Sequence, residues 1–290
     1  MDEHTETFER SRNLLEGLAY RMLGSLAEAQ DVVQDTYLKW RTVTPSEIRD
    51  GRAWLVTVCS RLAINALGSA RAQREEYVGT WLPEPFLDEG GQLPGVELEV
   101  DESVSLALLF ALERLAPTER AAYLLHDVFG YAFGEVAEIL GRSNAACRKL
   151  ASRARGRLRT GPRRFEASAD DHRRLVTAFL GACRNGELTR LRGLLSESIE
   201  LCGDGGGKAT AAGHLRGRDE VVDFLARIWS TYSEEGTEVD VELHWINGAP
   251  GALLFENGRL TTAICLHIAN GTIERVFAQR NPAKLAVVAR

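Results

Sequence analysis

A run of glycines between an aspartate and a lysine is the part of this sequence that most readily suggests chemistry. Residues 203–210 read GDGGGKAT, and glycine-rich loops that end in lysine bind phosphate in nucleotide-binding proteins. Such a loop also needs a glycine five positions before the Gly-Lys pair and a hydroxyl residue directly after it. Cys202 and Ala209 occupy those places. The segment is therefore predicted to be a loop in which backbones approach closely, not a nucleotide site.

Acids and histidines in the last third of the chain are the candidates for proton transfer. They are Asp204, His214, Asp240, His244 and His267. A histidine on a β-type segment is more often structural than catalytic, and these residues show neither a paired carboxylate nor a metal-ligand spacing. The sequence therefore favours a protein that is not an enzyme, with no cofactor and no metal.

The composition is typical of a globular protein. The chain has 290 residues, of which 44% are hydrophobic and 26% charged, and its length suits two or three domains. The N-terminus lacks an apolar signal segment and the longest apolar stretches are short, so we expect a cytoplasmic protein without membrane contact. Five scattered cysteines predict reduced thiols rather than disulfides or a zinc site.

Charge is sorted into blocks along the chain. Residues 141–164 contain nine Lys or Arg and no acid, whereas residues 82–102 contain seven acids and no base. A clustered basic face attracts phosphate even when the net charge is negative, as it is here at −6. The basic block therefore indicates nucleic acid as a partner.

Helical periodicity and its interruptions divide the chain. Helical patterns fill the first eighty residues and resume near residue 104, and between them lies an acidic stretch rich in Pro and Gly. We place a helical domain at 1–78, a linker at 79–103 and a second helical domain at 104–164. Residues 165–290 predict an α+β domain, in which helices precede four β-type runs that form a curved antiparallel sheet, with Asn-Gly and Pro-Gly turns.

The segment FGEVAEILGRSNAACRKLAS, residues 133–152, has the pattern of a helix-turn-helix. Gly141 permits the tight turn and Ser143 can cap the second helix. A recognition helix in this position would direct polar side chains into the major groove. Those side chains are Ser143, Asn144, Arg148, Lys149, Ser152 and Arg153.

Together these segments resemble the extracytoplasmic-function (ECF) sigma factors of the bacterial sigma-70 family. DVVQDTYLKWRT (31–42) and RAWLVTVCSRLAINALGSARAQRE (52–75) resemble sigma region 2, and residues 109–158 resemble region 4. The resemblance implies core RNA polymerase and promoter DNA as partners. It implies polymerase contacts at Asp31, Gln34 and Asp35, and −35 contacts at the helix-turn-helix residues named above together with Arg155. It implies −10 contacts at Trp54, Arg61, Asn65, Arg71 and Arg74.

The last domain resembles SnoaL-like domains, whose cone-shaped α+β barrel wraps a cavity. YVGTWLPEP (77–85), DGGGK (204–208) and NPAKL (281–285) resemble sigma factors with such a domain fused after region 4, although Ala283 replaces a usual acid. The resemblance implies a multidomain protein, two all-α sigma domains and this barrel, that is regulated in cis without a separate anti-sigma factor. The implied regulatory contacts are Trp81, Leu82, Pro83, Glu84, Pro85, Asp204, Gly205, Gly206, Gly207, Lys208, Asn281, Pro282, Lys284 and Leu285.

Three alternatives remain open. The chain could be a one-component DNA-binding regulator with a sensor domain and no polymerase contact, which would not need the acidic face at residues 31–35. The acidic linker is either a flexible spacer or a segment that enters a cationic channel of the polymerase. The barrel is either empty or a pocket for a small molecule.

Overall fold

The computed structural model describes residues 3–44, 48–87, 104–158 and 168–288. These residues divide into two compact units. The first unit holds the described residues of 3–76 and 109–158, and the second holds those of 77–87, 104–108 and 168–288. The predicted helical domains thus share one unit, and the first part of the predicted linker belongs with the α+β domain.

The described residues form eleven α-helices and six β-strands. The helices are α1 Glu3–Leu23, α2 Leu26–Trp40, α3 Gly51–Glu75, α4 Leu106–Leu112, α5 Pro117–Tyr123, α6 Phe133–Leu140, α7 Asn144–Leu158, α8 Ala169–Arg184, α9 Leu188–Leu194, α10 Arg218–Glu234 and α11 Pro282–Leu285. The strands are β1 Leu195–Asp204, β2 His214–Arg216, β3 Val239–Ile246, β4 Ala249–Glu256, β5 Arg259–Ala269 and β6 Thr272–Gln279.

Helices α1, α2 and α3 pack together through their apolar faces. Ser25 caps α2 by accepting a hydrogen bond from the Glu28 N–H at 3.3 Å. The apolar side of α2 is buried at Val32, Val33 and Trp40. Because the opposite face carries acids and an amide, this helix has one face in the core and one in solvent.

Helix α3 is the core helix of the first unit. By length and composition its segment Gly51–Ala70 is the one helix, among the described residues, that would be long and apolar enough to cross a membrane. Its side chains instead pack in the core at Leu55, Val56, Cys59 and Leu67. The expectation that every apolar stretch falls short of a membrane span overlooked this helix, because its polar residues are scattered along it.

The helix-turn-helix is formed by α6, a turn at Gly141 and α7. Gly141 adopts φ 63° and ψ 39°, a left-handed conformation that glycine reaches without strain. Ser143 caps α7 by accepting from the Ala146 N–H at 3.2 Å. The buried stripe of α7 is Cys147, Ala151 and Ala154, whose spacing places them on one face of the helix.

The second unit contains a six-stranded sheet with the order β2-β1-β6-β5-β4-β3. Strands β3 to β6 form the predicted antiparallel meander. The prediction of a wholly antiparallel sheet is wrong, because β1 pairs with β6 in parallel. Strand β1 was not predicted, since it follows α9 without a turn and its first residues, Ser196, Glu197 and Ser198, carry no apolar alternation.

Three Asn-Gly pairs make the turns of the meander. Asn247, Asn257 and Asn270 have φ of 51°, 50° and 52°, and the glycines that follow them also have positive φ, as type I′ hairpin turns require. The predicted Pro-Gly turn is wrong. Pro250 and Gly251 lie inside β4, where a Cβ on Gly251 would approach the Ile264 carbonyl oxygen to 2.8 Å.

Candidate functional site

Residues 77–87, which we call the strap, are held by a buried carboxylate at the end of β1. Asp204 has no solvent exposure. Its Oδ1 accepts from the Tyr77 hydroxyl at 2.6 Å, and its Oδ2 accepts from the Leu82 N–H at 2.9 Å. Because both donors belong to the strap, the Asp204 side chain fixes two points of that segment.

Lys284 is the cation of this cluster. Its Nζ lies 2.7 Å from Asp204 Oδ2 and donates to the Leu82 carbonyl at 2.5 Å. The same ammonium lies 4.2 Å from the centroid of the Trp81 ring, within range of a cation–π interaction. A buried ion pair is tolerated only when further hydrogen bonds satisfy it, and here the strap supplies those bonds.

The glycine loop packs against Asn281, the first residue of the predicted motif NPAKL. Gly206 has φ 59°, and a Cβ there would lie 2.3 Å from Asn281 Nδ2. Asn281 caps α11, since its Oδ1 accepts from the Ala283 N–H at 3.0 Å, and its Nδ2 donates to the Tyr77 hydroxyl at 2.8 Å. Position 206 must be glycine because the Asn281 side chain occupies the space that a Cβ at position 206 would need.

Two further residues hold the strap and were not predicted. Gln279 Nε2 donates to the Pro83 carbonyl at 3.3 Å. Asn247 is buried, its Oδ1 accepts from the Phe86 N–H at 3.2 Å, and its Nδ2 donates to the Val104 carbonyl at 3.1 Å. The Asn-Gly turn signal indicated the backbone at Asn247, but no feature of the sequence indicated this use of the amide.

The structure brings most of the predicted regulatory residues together. Leu82, Pro83, Pro85, Asn281 and Leu285 are buried, while Trp81 and Glu84 are half-buried. Gly205 makes the tight turn after Asp204, and Pro282 begins α11. Lys208 is exposed and Lys284 is buried, so of these two predicted contacts Lys284 is the one that places a cation beside Asp204. Burial and the hydrogen bond to Asp204 raise the pKa of Tyr77, which keeps its hydroxyl a donor.

The predicted −35 surface is a continuous exposed face of α7. All seven predicted residues are exposed: Ser143, Asn144, Arg148, Lys149, Ser152, Arg153 and Arg155. The Arg148 guanidinium lies 5.6 Å from the Phe133 ring centroid, and Arg155 Nε donates to Asp127 Oδ1 at 2.7 Å. The remaining predicted cations of this face, Lys149 and Arg153, are exposed, as a phosphate contact requires.

Two of the predicted −10 residues bind other parts of the first unit. Arg61 Nε donates to the Ile139 carbonyl at 3.1 Å, at the C-terminus of α6. Arg74 pairs with Glu113 and donates to the Leu23 carbonyl at 2.5 Å. Glu113 also pairs with Arg120, whose side chain has no exposure. In this arrangement Arg61 and Arg74 are engaged by the protein itself.

The other −10 candidates differ in their surroundings. Trp54 is half-buried and packs against Trp40, with ring centroids 5.3 Å apart. Asn65 is exposed. The Arg71 side chain lies outside the described residues.

The predicted polymerase face of α2 is exposed at Asp31, Gln34 and Asp35.

The catalytic candidates do not form one site. Asp204 is engaged with the strap, Asp240 is exposed on β3, and His244 Nε2 lies 3.0 Å from Glu242. His267 is buried on β5, and burial together with Arg275 and His172 lowers its pKa to about 4.

Glu200, Cys202 and His214 place one possible ligand atom each within 4.8 Å of one another, a cluster that the sequence did not indicate. Arg275 Nε already donates to Glu200 at 2.8 Å, and burial raises the pKa of Cys202 to about 12. A thiol that stays protonated beside an arginine does not suit a cation. We therefore assign no metal to this cluster.

Family models and known proteins match this chain over most of its length. Residues 7–73 match the family model for sigma-70 region 2, and residues 105–158 match that for sigma-70 region 4. The chain is 41% identical over 250 residues to the ECF RNA polymerase sigma factor SigJ of Mycobacterium tuberculosis, covering 84% of this chain and 79% of SigJ. It is 31% identical over 288 residues to a probable ECF RNA polymerase sigma factor, SigI, of the same organism, covering 98% of this chain and 95% of SigI.

A crystal structure of M. tuberculosis SigJ superposes with a TM-score of 0.78 at 34% identity, covering 98% of this chain and 99% of that one. The helical regions, the helix-turn-helix and the sheet domain thus have counterparts in that protein. The chain belongs to the ECF sigma factors of the sigma-70 family, with a SnoaL-like domain at its C-terminus.

Proposed function

We propose that this protein directs core RNA polymerase to promoters and that its C-terminal domain regulates it by holding the strap. The observation that carries the proposal is a pair of exposed surfaces of opposite charge: α7 has a basic face and α2 has an acidic face. A DNA-binding regulator without polymerase contact needs the first face only. The cytoplasm, where RNA polymerase works, is its proposed location.

In this proposal α7 enters the major groove at the −35 element. Asn144 and Arg148 lie near the helix start, where side chains reach base edges, and Lys149 and Arg153 suit phosphates. Helix α3 contributes to −10 recognition through Trp54, for which a stacked, unpaired base is a suitable partner. Arg61 and Arg74 take part only after exchanging their internal partners for DNA.

The strap is the proposed point of regulation. Residues 76–105 connect α3 to α4, and a free segment of that length reaches roughly 100 Å when extended. Holding residues 77–87 on the sheet shortens this reach. The C-terminal domain would thereby act in the role of a separate anti-sigma factor, and the expectation that no such factor acts on the chain stays a prediction. The acidic residues 88–103 lie outside the described residues, so their entry into a polymerase channel also stays a prediction.

Alanine at Asp31, Gln34 and Asp35 tests the polymerase contact. We expect the triple variant to bind core RNA polymerase at least about ten-fold more weakly, because each substitution removes an exposed polar group from the proposed interface. Binding is measured by fluorescence titration of labelled protein with core enzyme. Alanine at Glu6 and Glu9, two exposed acids of α1, removes the same charge and should leave binding unchanged. Equal affinities for the two variants would exclude this face as the polymerase contact.

A further inference from the structure

We propose that a cavity in the second unit binds a small aromatic molecule with one hydrogen-bond acceptor, such as an aryl ketone, and that the bound molecule loosens the strap. The inference rests on the proposed function of the strap and supplies that regulation with a chemical signal. The cavity is lined by the inner face of the sheet together with α8 and α10.

The lining of the cavity is apolar and rich in aromatic rings. Its volume is about 80 Å³. Aromatic side chains favour aromatic ligands through offset and edge-to-face contacts, and apolar cavities stay dry and accept apolar guests. The lining residues that carry this argument are Phe179, Leu201, Phe224, Ile228, Trp229 and Leu254.

Two polar residues of the lining, Arg280 and Tyr232, lie side by side and form what we call the polar end of the cavity. Arg280 Nη2 donates to Glu256 Oε1 at 2.9 Å, and the Tyr232 hydroxyl donates to the same oxygen at 2.7 Å. Arg280 Nε is buried and has no hydrogen-bond partner among the described residues. A buried donor without an acceptor costs free energy, so a ligand oxygen in its reach gains by accepting from it.

The charge of this end selects a neutral ligand over an anion. Glu256 already neutralises the Arg280 guanidinium at 2.9 Å. Burial and the hydrogen bond to Glu256 raise the pKa of Tyr232 to about 12, so its hydroxyl stays protonated and committed. A carbonyl oxygen can accept from Nε without adding a second negative charge beside Glu256.

The cavity is too small to hold an aromatic ring unless its walls move. An engineered protein cavity of about 150 Å³ holds a benzene molecule, and this cavity is about half as large. An aromatic ring therefore enters only if the walls move apart. The small residues of the lining are Gly203, Ala211, Ala212 and Ala278.

Two of these small lining residues, Gly203 and Ala278, lie next in the chain to residues that hold the strap. Successive side chains of a strand point to opposite faces of the sheet. On β1, Gly203 lines the cavity and Asp204 binds the strap; on β6, Ala278 lines the cavity and Gln279 binds the strap. Gly203 pairs with Ala278, and Asp204 with Gln279. A ligand that displaces β1 and β6 therefore displaces the strap contacts with them.

The test is an NMR titration of the full chain labelled with ¹⁵N-tryptophan. The Trp229 indole reports the cavity and the Trp81 indole reports the strap. We expect acetophenone to shift both signals with one common Kd near about 1 mM or below. Ethylbenzene, which has the same shape without the acceptor, should bind at least about ten-fold more weakly. Benzoate, the anionic arm, should also bind more weakly.

Two variants make the titration specific. Ala278→Leu fills the cavity and should abolish both shifts, whereas Ala145→Leu, the same change at an exposed position of α7, should leave them intact. Arg280→Lys keeps the charge beside Glu256 but removes Nε, and should erase the preference for acetophenone over ethylbenzene. No saturable Trp229 shift, equal binding of ethylbenzene, or a Trp81 signal that does not follow Trp229 would each overturn the proposal. Polymerase is absent from this experiment, so its failure would leave the proposed sigma function standing.

Discussion

At the scale of single residues, two carboxylates, Asp204 and Glu113, each hold several segments of the chain together. Five donors surround the buried Asp204 carboxylate: Tyr77, Leu82, Gly206, Gln279 and Lys284. In the first unit the Glu113 carboxylate joins Arg74 to the fully buried Arg120. Each arrangement connects chain segments far apart in sequence, because a carboxylate accepts several hydrogen bonds at once.

Glu113→Gln should destabilise the first unit by about 3–5 kcal/mol, because it leaves the buried Arg120 without its counter-charge. Arg120 and Arg74 both act to lower the pKa of Glu113 and outweigh the effect of burial, which raises it. Chemical denaturation followed by circular dichroism measures the loss. Glu6→Gln breaks an exposed pair with Arg10 and should change stability by less than about 1 kcal/mol. A similar small effect for Glu113→Gln would show that the network contributes little.

His172 should make the second unit less stable in mild acid. Burial lowers its pKa to about 4, against about 6.5 in an unfolded chain. The neutral form stabilises the fold fully above the unfolded value, and this contribution is lost as the pH falls towards the folded value. Between pH 6.5 and 5 the loss is about 1.5 kcal/mol. Urea titrations at the two pH values should show it, and His172→Gln should remove this part of the loss while leaving the part that comes from the buried His267. An unchanged pH dependence in that variant would assign the effect to other groups.

At the scale of elements, α7 is the clearest functional surface. Its inward residues are small, so the helix packs closely on its neighbours while its arginines and Lys149 remain outside. An exposed helical face that binds phosphates makes a salt-dependent contribution through counterion release.

Removing cations from α7 should reduce the salt dependence of DNA binding. For about five phosphate contacts the slope of log affinity against log salt is near −4 to −5, and each lost contact lowers its magnitude by about 0.9. We expect Arg148→Ala with Lys149→Ala to change the slope by about 2, as measured by fluorescence anisotropy with a DNA duplex. Arg10→Ala with Arg12→Ala removes the same charge from α1 and should leave the slope unchanged. Identical slopes for both pairs would exclude α7 as the phosphate-binding face.

Sequence patterns predicted these elements unevenly, for physical reasons. The helix-turn-helix was predictable because Gly141, Ser143 and the apolar spacing act locally, and the Asn-Gly turns were predictable for the same reason. Strand β1 was missed because its parallel pairing with β6 is non-local. Lys208 and Lys284 were both predicted as strap contacts, but only the folded chain distinguishes them, because tertiary packing buries Lys284 and leaves Lys208 exposed.

Contacts between residues far apart in sequence also limited the prediction of the candidate sites. The three strap motifs were predicted by resemblance, but the amides of Asn247 and Gln279 carry no signal in the sequence. Arg61 and Arg74 were predicted as DNA ligands by the same resemblance. Their bonds to the Ile139 carbonyl and to Glu113 depend on packing between helices distant in sequence.

At the scale of the whole molecule, we propose that this sigma factor carries its own regulator, which acts by holding the strap. Residues 76–105 connect the two sigma regions, and residues 77–87 are the part of that connection bound to the sheet through Asp204 and Lys284. Releasing the strap restores the reach of the connection. The energetic weight of the contact lies in a buried ion pair, which a single substitution breaks.

The most direct test is run-off transcription by core RNA polymerase with the full chain, on a template carrying a promoter that the wild type uses. Lys284→Met removes the cation from Asp204 and should raise promoter-specific transcript at least about five-fold at equal core binding, since the freed strap extends the connection. Lys208→Met, the same change on an exposed lysine, should match the wild type. Tyr77→Phe with Trp81→Ala weakens the contact from the strap side and should reproduce the increase. No specific transcript from the wild type would contradict the sigma function, and equal transcript from all variants would contradict regulation through the strap.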